Sequence, residues 1–188
     1  MGEAFHNYEG VCESIDRMTD KRAMDLSPGH ITVSTCGVVP MIHRYAHEGP
    51  KTELAVSLGS ADQATRDRLM PGMARWDLAD LMAACYEFSQ ARKGQPVTFA
   101  YVMMAGVNDG YHDVDRLVRL LKAQPHHLNL IPYNEVPGCN YIAPNEETIS
   151  TFFRRCRDAG LNVSVRRSKG RGIEAACGQL RRQVKGEG

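Results

Sequence analysis

No two cysteines of this sequence stand two or three residues apart. The six cysteines lie at positions 12, 36, 85, 139, 156 and 177, which excludes the spacing of a zinc ribbon or of a cysteine-ligated cluster loop within these residues. A run of about 18 apolar residues, as a membrane-spanning helix needs, is also absent. The first residues lack the basic-then-apolar pattern of a secretory signal. We therefore expect reduced thiols, no metal site, no membrane partner and a cytoplasmic location.

The charges are balanced overall but unevenly distributed along the chain. The formal net charge is +1 over 188 residues. Residues 154–188 carry ten Lys or Arg against three Asp or Glu, whereas residues 1–153 carry 13 against 19. Such a basic end favours an anionic partner, nucleic acid included. A solvated helix face is the plainer interpretation of part of it.

Strand-like and helix-like patterns alternate along the chain. The predicted strands are residues 31–35, 53–58, 97–103, 128–131 and 161–166; the predicted helices are residues 40–47, 61–70, 77–92, 113–122, 146–159 and 173–184. Residues 1–30 are predicted to form a loop and a short helix. Alternation of this kind is typical of an α/β protein with parallel strands. With 43% hydrophobic residues, the chain can bury the core of one domain.

Polar side chains recur near the ends of four predicted strands. They are Ser34, Ser57, Asn108 and Asn134. Because the carboxyl ends of parallel strands carry the ligand site in barrels and open α/β sheets, we expect a shared site there. Taken singly, each of these residues is equally compatible with ordinary turn chemistry.

The last cysteine, Cys177, stands among small residues in the segment GIEAACGQL, residues 172–180. Lys or Arg occupies positions 166, 167, 169, 171, 181 and 182. Nearby cations lower the pKa of a thiol and favour the reactive thiolate, so Cys177 is a candidate nucleophile. The plainer interpretation is a buried cysteine that packs as a small hydrophobe.

Six segments, in this order, resemble the RlmN/Cfr family of radical SAM 23S rRNA adenine methyltransferases. They are MGE (1–3), ITVSTCGVVP (31–40), LAVSL (54–58), GVND (106–109), LNLIPYN (128–134) and IEAACGQL (173–180). The resemblance implies an α/β fold, a partial (β/α) barrel of radical SAM type with the later strands only. Residues 1–188 would be the C-terminal part of the core domain, with a methyl-carrier segment at about residues 166–188.

The resemblance also implies the site residues and their chemistry. S-adenosyl-L-methionine (SAM) would be bound by Gly2 and Glu3 at its amino end and by Ser34, Ser57, Leu58 and Asn134 elsewhere. Cys177 would carry the methyl group, since adenine C2 is too electron-poor to attack SAM and a thiolate is not. In the family, a reduced [4Fe-4S] cluster then generates the radical that moves this methyl to the base. The implied partners are 23S rRNA, tRNA as a second substrate, and an electron donor.

The sequence also departs from the family pattern. The family's C-x3-C-x2-C cluster loop lies upstream of Gly2-Glu3, and no cysteines here have that spacing. Gly59, Gly29-His30 and Gly172 stand where the family has other residues. The resemblance therefore implies a truncated or split form that needs a cluster-bearing N-terminal portion and is inactive alone. We expect its first strand to have an unpaired edge and the isolated chain to self-associate.

Two other interpretations remain open at this point. The chain could be a non-catalytic RNA-binding remnant of the family that uses its basic end. It could also be an unrelated thiol-dependent α/β enzyme, although no histidine or acid pairs with Cys177 by any recognisable sequence pattern.

Overall fold

The computed structural model describes residues 2–135 and 138–166. The strands of its sheet are β1 (Thr32–Thr35), β2 (Glu53–Ser57), β3 (Val97–Met103), β4 (His126–Pro132) and β5 (Val163–Val165). The α-helices are α1 (Tyr8–Thr19), α2 (Val39–Glu48), α3 (Gln63–Leu69), α4 (Leu78–Ala91), α5 (Tyr111–Leu121) and α6 (Glu146–Asp158). Short 3-10 turns cover Ala4–Asn7, Pro28–His30 and Pro71–Met73. The predicted α/β class is confirmed, while the helix predicted at residues 173–184 lies outside the described residues.

The strands follow one another in space in the order β1-β2-β3-β4-β5, and all four pairings are parallel. The β3–β4 ladder extends from Val97↔His126 to Met103↔Pro132. Because every crossover steps in the same direction and parallel crossovers are right-handed, the connecting helices fall on one face of the sheet. This arrangement is that of the partial barrel that the family resemblance implies.

The two faces of the sheet differ in burial. In β1 to β4, residues buried beneath the helices alternate with more exposed ones. Eight strand side chains, and that of Leu58 directly after β2, have 0% exposure; the eight are Leu54, Val56, Val97, Phe99, Tyr101, Met103, Leu128 and Leu130. They pack with helix residues such as Ile42, Phe88 and Leu117 in one core. Each fully buried side chain of this size contributes about 1.5–3 kcal/mol, so this face supplies much of the stability. The opposite face is only partly covered and is called the open face below.

The chain begins with more helix than the sequence analysis predicts. Helix α1 has 12 residues, with Tyr8 and Ile15 buried and Val11 packed against the core. Arg44 of α2 holds this helix in place. Its Nη1 donates to Glu9 Oε1 at 2.8 Å and its guanidinium lies 4.1 Å from the centre of the Tyr8 ring.

Most other boundaries agree with the prediction to within two residues, and side-chain caps explain several of them. Asp77, the predicted cap of α4, accepts from the Asp80 N–H at 2.8 Å. Strand β5 is shorter than predicted because the Leu161 N–H bonds to the Cys156 carbonyl at 3.0 Å and so closes α6. No helix within residues 2–135 and 138–166 is long and apolar enough to span a membrane.

Candidate functional site on the open face

Small and polar side chains form two rows across the open face. One row joins Ser57, Ala100, Asn129 and Ser164, which are register partners on β2 to β5. The other joins Ser34, Ala55, Thr98 and His127 on β1 to β4. The alternation of strand side chains places all eight on the face away from the helices. These eight residues are called the floor of the open face below. The floor is mostly polar, and its two alanines, Ala55 and Ala100, leave space above the sheet.

Two of the predicted SAM contacts, Ser34 and Ser57, belong to this floor. Ser34 is exposed on the edge strand β1, and Ser57 is half-buried at the end of β2. Neither hydroxyl forms a hydrogen bond with another residue that the structure describes. Each hydroxyl can donate once and accept twice, so both can serve a polar ligand.

Glu3 lies beside the end of β1, as the predicted site requires. Its Oε2 accepts from the Cys36 N–H at 2.7 Å and its Oε1 accepts from the Phe5 N–H at 3.0 Å. The carboxylate thus anchors the first residues of the chain to the β1 turn. Each of its oxygens retains acceptor capacity for a cation. Gly2 is exposed next to it.

The remaining predicted contacts are placed differently. The Leu58 side chain is completely buried on the helix side, and its backbone N–H donates to the Ala100 carbonyl at 2.9 Å. Only the backbone of Leu58 can therefore face the site. Asn134 is exposed after β4, at the same carboxyl edge of the sheet. Cys177 lies outside the described residues.

Asn108 is a structural residue rather than part of the open floor. Its side chain is fully buried. It accepts from the Met104 N–H at 2.7 Å and donates to the carbonyls of Gly59 and Val102 at 2.9 and 2.8 Å. All three of these hydrogen bonds are to backbone groups. The Asn108 side chain therefore connects the turn after β3 to the turn after β2.

Arg66 is a residue that the sequence analysis missed. It lies on α3 with 1% exposure, and its Nη2 donates to the Cys36 carbonyl at 3.1 Å. The sequence around it, QATRDRL, has the composition of a solvated helix. No local signal marks Arg66 as buried, because its acceptor is 30 residues away along the chain.

Burial raises the pKa of four of the five thiols that the structure describes. It raises the pKa of Cys85 and of Cys156 to about 12, and it also raises the pKa of Cys12 and of Cys36. A thiol with a raised pKa is a poor nucleophile at neutral pH. None of these four cysteines is therefore suited to carry a methyl group.

Comparisons with known proteins test the family resemblance. No protein-family model matches the sequence. The dual-specificity RNA methyltransferase RlmN of Pelobacter propionicus is 42% identical over 181 residues, which are 96% of this chain and 52% of the relative. The chain is homologous to the C-terminal half of the RlmN proteins. The RlmN of Desulfotalea psychrophila is likewise 42% identical over 180 residues, 49% of its length. The chain thus spans about half the length of these curated relatives, and the predicted resemblance is confirmed.

Solved structures agree with this assignment. A radical SAM methyltransferase from Sphaerobacter thermophilus superposes with a TM-score of 0.90 at 39% identity, over 95% of this chain and 52% of that protein. A domain of a pyruvate-formate lyase-activating enzyme from Bacteroides vulgatus has a TM-score of 0.65 at 16% identity, which supports the fold alone. The sheet described here therefore has the fold of the matching half of that radical SAM methyltransferase.

A metal cluster does not fit the described residues. Within residues 2–135 and 138–166, no group of three His, Cys, Asp or Glu side chains is arranged to hold a metal ion. The predicted SAM residues, by contrast, offer two available hydroxyls and a carboxylate at one edge of an uncovered sheet face. The site therefore suits an organic ligand with several polar groups.

Proposed function

We propose that this chain is the SAM-binding and methyl-carrying half of an RlmN-type RNA adenine methyltransferase. One observation carries the proposal, the 42% identity over 96% of the chain to a dual-specificity RNA methyltransferase RlmN. We infer that adenine C2 in 23S rRNA and in tRNA receives the methyl group, in the cytoplasm. Residues 166–188 would form the carrier segment of the domain.

The open face supports SAM as its ligand. The Ser34 and Ser57 hydroxyls and the Glu3 carboxylate lie at the carboxyl ends of β1 and β2, where α/β sheets bind ligands. A carboxylate suits the ammonium group of SAM, and hydroxyls suit its polar edges. Alanines at positions 55 and 100 leave room for the bulk of the ligand between these polar groups. We therefore assign SAM binding to Gly2, Glu3, Ser34, Ser57, Asn134 and the Leu58 backbone.

Cys177 is the proposed methyl acceptor. SAM, when bound, supplies an electrophilic methyl group. Cys177 would lose its thiol proton to solvent, and its sulfur would form the new bond to the methyl while the sulfonium sulfur leaves with the bonding pair. The Lys and Arg residues around Cys177 favour the thiolate that this step requires. The four cysteines with raised pKa values cannot substitute for it at neutral pH.

Delivery of the methyl to adenine needs a partner portion. The described residues offer no ligand set for an iron–sulfur cluster. We infer that a cluster-bearing portion, served by an electron donor, completes the barrel along β1. In the part of the chain that the structure describes, strand β1 pairs with β2 on one side only, so its other edge can accept a further strand.

The test is to express the 188-residue chain together with the N-terminal half of the Pelobacter relative, in cells that lack their own RlmN. Trypsin releases Cys177 within the peptide that covers residues 172–181, in which it is the single cysteine. We expect mass spectrometry to find a methyl group on this peptide. We also expect 2-methyladenosine in 23S rRNA and tRNA from the same cells.

Two variants control this experiment. Cys177→Ala should abolish the RNA product, whereas Cys139→Ala, which changes an exposed cysteine, should leave the product unchanged. An unmodified Cys177 in a complex that contains both halves would contradict the carrier assignment. Binding of 23S rRNA without any methylation would instead favour the non-catalytic remnant.

A further inference from the structure

Arg66 is a buried cation that forms no ion pair with any residue that the structure describes. Its side chain is 1% exposed, and no carboxylate lies within 4.0 Å of its guanidinium among the residues that the structure describes. Its Nη1 reaches only the Met70 sulfur at 3.8 Å, and its Nε has no acceptor. Burial lowers the pKa of Arg66. Burying an uncompensated charge is strongly unfavourable, so packing alone does not explain an arginine here.

Among the residues that the structure describes, the strongest contact of Arg66 is with the turn that follows β1. Its Nη2 donates to the Cys36 carbonyl at 3.1 Å, while the N–H of the same residue donates to Glu3 Oε2 at 2.7 Å. The peptide groups on both sides of Cys36 are therefore fixed. Gly37 has φ of +101°, and a Cβ there would lie 2.9 Å from Arg66 Nη2. The backbone of this turn lies directly against the guanidinium.

Arg66 also contacts the turn that follows β2. The Met70 sulfur accepts from Arg66 Nη1. Met70 in turn packs against Gly59, where an added Cβ would lie 2.8 Å from the Met70 sulfur. The guanidinium thus stands between the turn after β1 and the turn after β2. Ser34 and Ser57, the two hydroxyls of the floor, belong to the strands that lead into these turns.

We propose that Arg66 is a positioning residue for the SAM site. It holds the Cys36–Gly37 turn and thereby keeps Glu3, Ser34 and Ser57 in a fixed relation to one another. The inference rests on the proposed SAM site and adds to it a residue that does not touch the ligand. Its effect passes through the backbone of Cys36.

Arg66→Met separates positioning from stability. Methionine is flexible and apolar, and replacing a buried uncompensated charge with an apolar side chain is often neutral or stabilising. We expect Arg66→Met to keep or raise the free energy of unfolding while weakening SAM binding about tenfold, or about 1.4 kcal/mol. Arg66→Lys, which retains a donor, should recover part of the affinity. Arg68→Met, an exposed position on the same helix, is the matched control and should change neither quantity.

The measurements are isothermal titration of the 188-residue chain with SAM and amide hydrogen exchange of Cys36 and Gly37. We expect faster exchange at both amides in Arg66→Met and unchanged exchange in Arg68→Met. Equal SAM affinity in Arg66→Met and the parent chain would overturn the inference and leave the SAM site standing. Absence of SAM binding by the parent chain would overturn the site and the inference together. A loss of affinity matched by an equal loss of stability would show that Arg66 is a packing residue only.

Discussion

Replacement of Asn108 by alanine should strongly destabilise the protein, because this side chain braces the carboxyl edge of the sheet. Asn108 is fully buried and joins three backbone groups, the Met104 N–H and the carbonyls of Gly59 and Val102. The change deletes all three hydrogen bonds. If Asn108 instead served a ligand, its loss would have little effect on stability.

The expected magnitude follows from these three bonds. Each contributes about 1 kcal/mol net, so their sum is about 3 kcal/mol. Buried groups left without a partner would add to this loss, since water has no access to the site. A typical domain has about 5–15 kcal/mol of total stability, so the variant should be markedly weakened.

Urea unfolding of the 188-residue chain, followed by far-UV circular dichroism, measures the effect. Asn145→Ala is the matched control, because Asn145 caps α6 through one exposed hydrogen bond to the Thr148 N–H at 2.8 Å. That control should lose about 1 kcal/mol. Asn108→Asp should be at least as unstable as Asn108→Ala at neutral pH, since it turns a carboxylate towards two carbonyls. A loss in Asn108→Ala no larger than that of Asn145→Ala, with an unchanged slope in urea, would refute the bracing role.

Two further outcomes test the thiols and one ion pair. Iodoacetamide should modify the exposed Cys139 in the native chain. It should react with Cys85 and Cys156 only after unfolding, because burial raises the pKa of both thiols to about 12. Peptide mass spectrometry measures the order of labelling, and labelling of Cys85 in the native chain would contradict this prediction. The Glu87 carboxylate has a pKa below its ordinary value of 4.5, chiefly through its hydrogen bond with the His47 ring. The Glu87 carboxylate should therefore stabilise the fold above pH 4.5, and this stabilisation should disappear as the pH falls through the pKa that Glu87 has in the folded state. Thermal melts of the parent and Glu87→Gln should differ at neutral pH and converge in acid, and a pH-independent difference would contradict this.

The regular elements could be predicted because local patterns determine them. Strand β3 was predicted with its observed ends, since an apolar run lies between a Gly-Gln-Pro segment and a turn rich in glycine. Helix α1 was underestimated although its signal is present. Tyr8, Val11, Cys12, Ile15 and Met18 recur at helical spacing and pack inwards.

The candidate site was predictable only in part. The positions of Ser34 and Ser57 on one face of the sheet follow from strand alternation, whereas their role in binding SAM stays a prediction. The roles of Arg66 and Asn108 depend on carbonyls 30 and 49 residues away in the chain. These partners are determined by tertiary packing and cannot be recognised from the neighbouring sequence. The sequence pattern therefore indicated a solvent-exposed side chain for Arg66 and a ligand-binding side chain for Asn108.

The ladders of the sheet differ in length. The β3–β4 ladder has seven register pairs, whereas the β2–β3 and β4–β5 ladders have three each. The seam between β2 and β3 is reinforced by the bond from the Leu58 N–H to the Ala100 carbonyl and by the Asn108 side chain. Because these bonds supplement a short ladder, we expect their loss to favour subglobal opening in which β1 and β2 separate from β3 to β5. A ligand that touches both Ser57 and Asn134 spans the two parts, and its binding would join them into one cooperative unit.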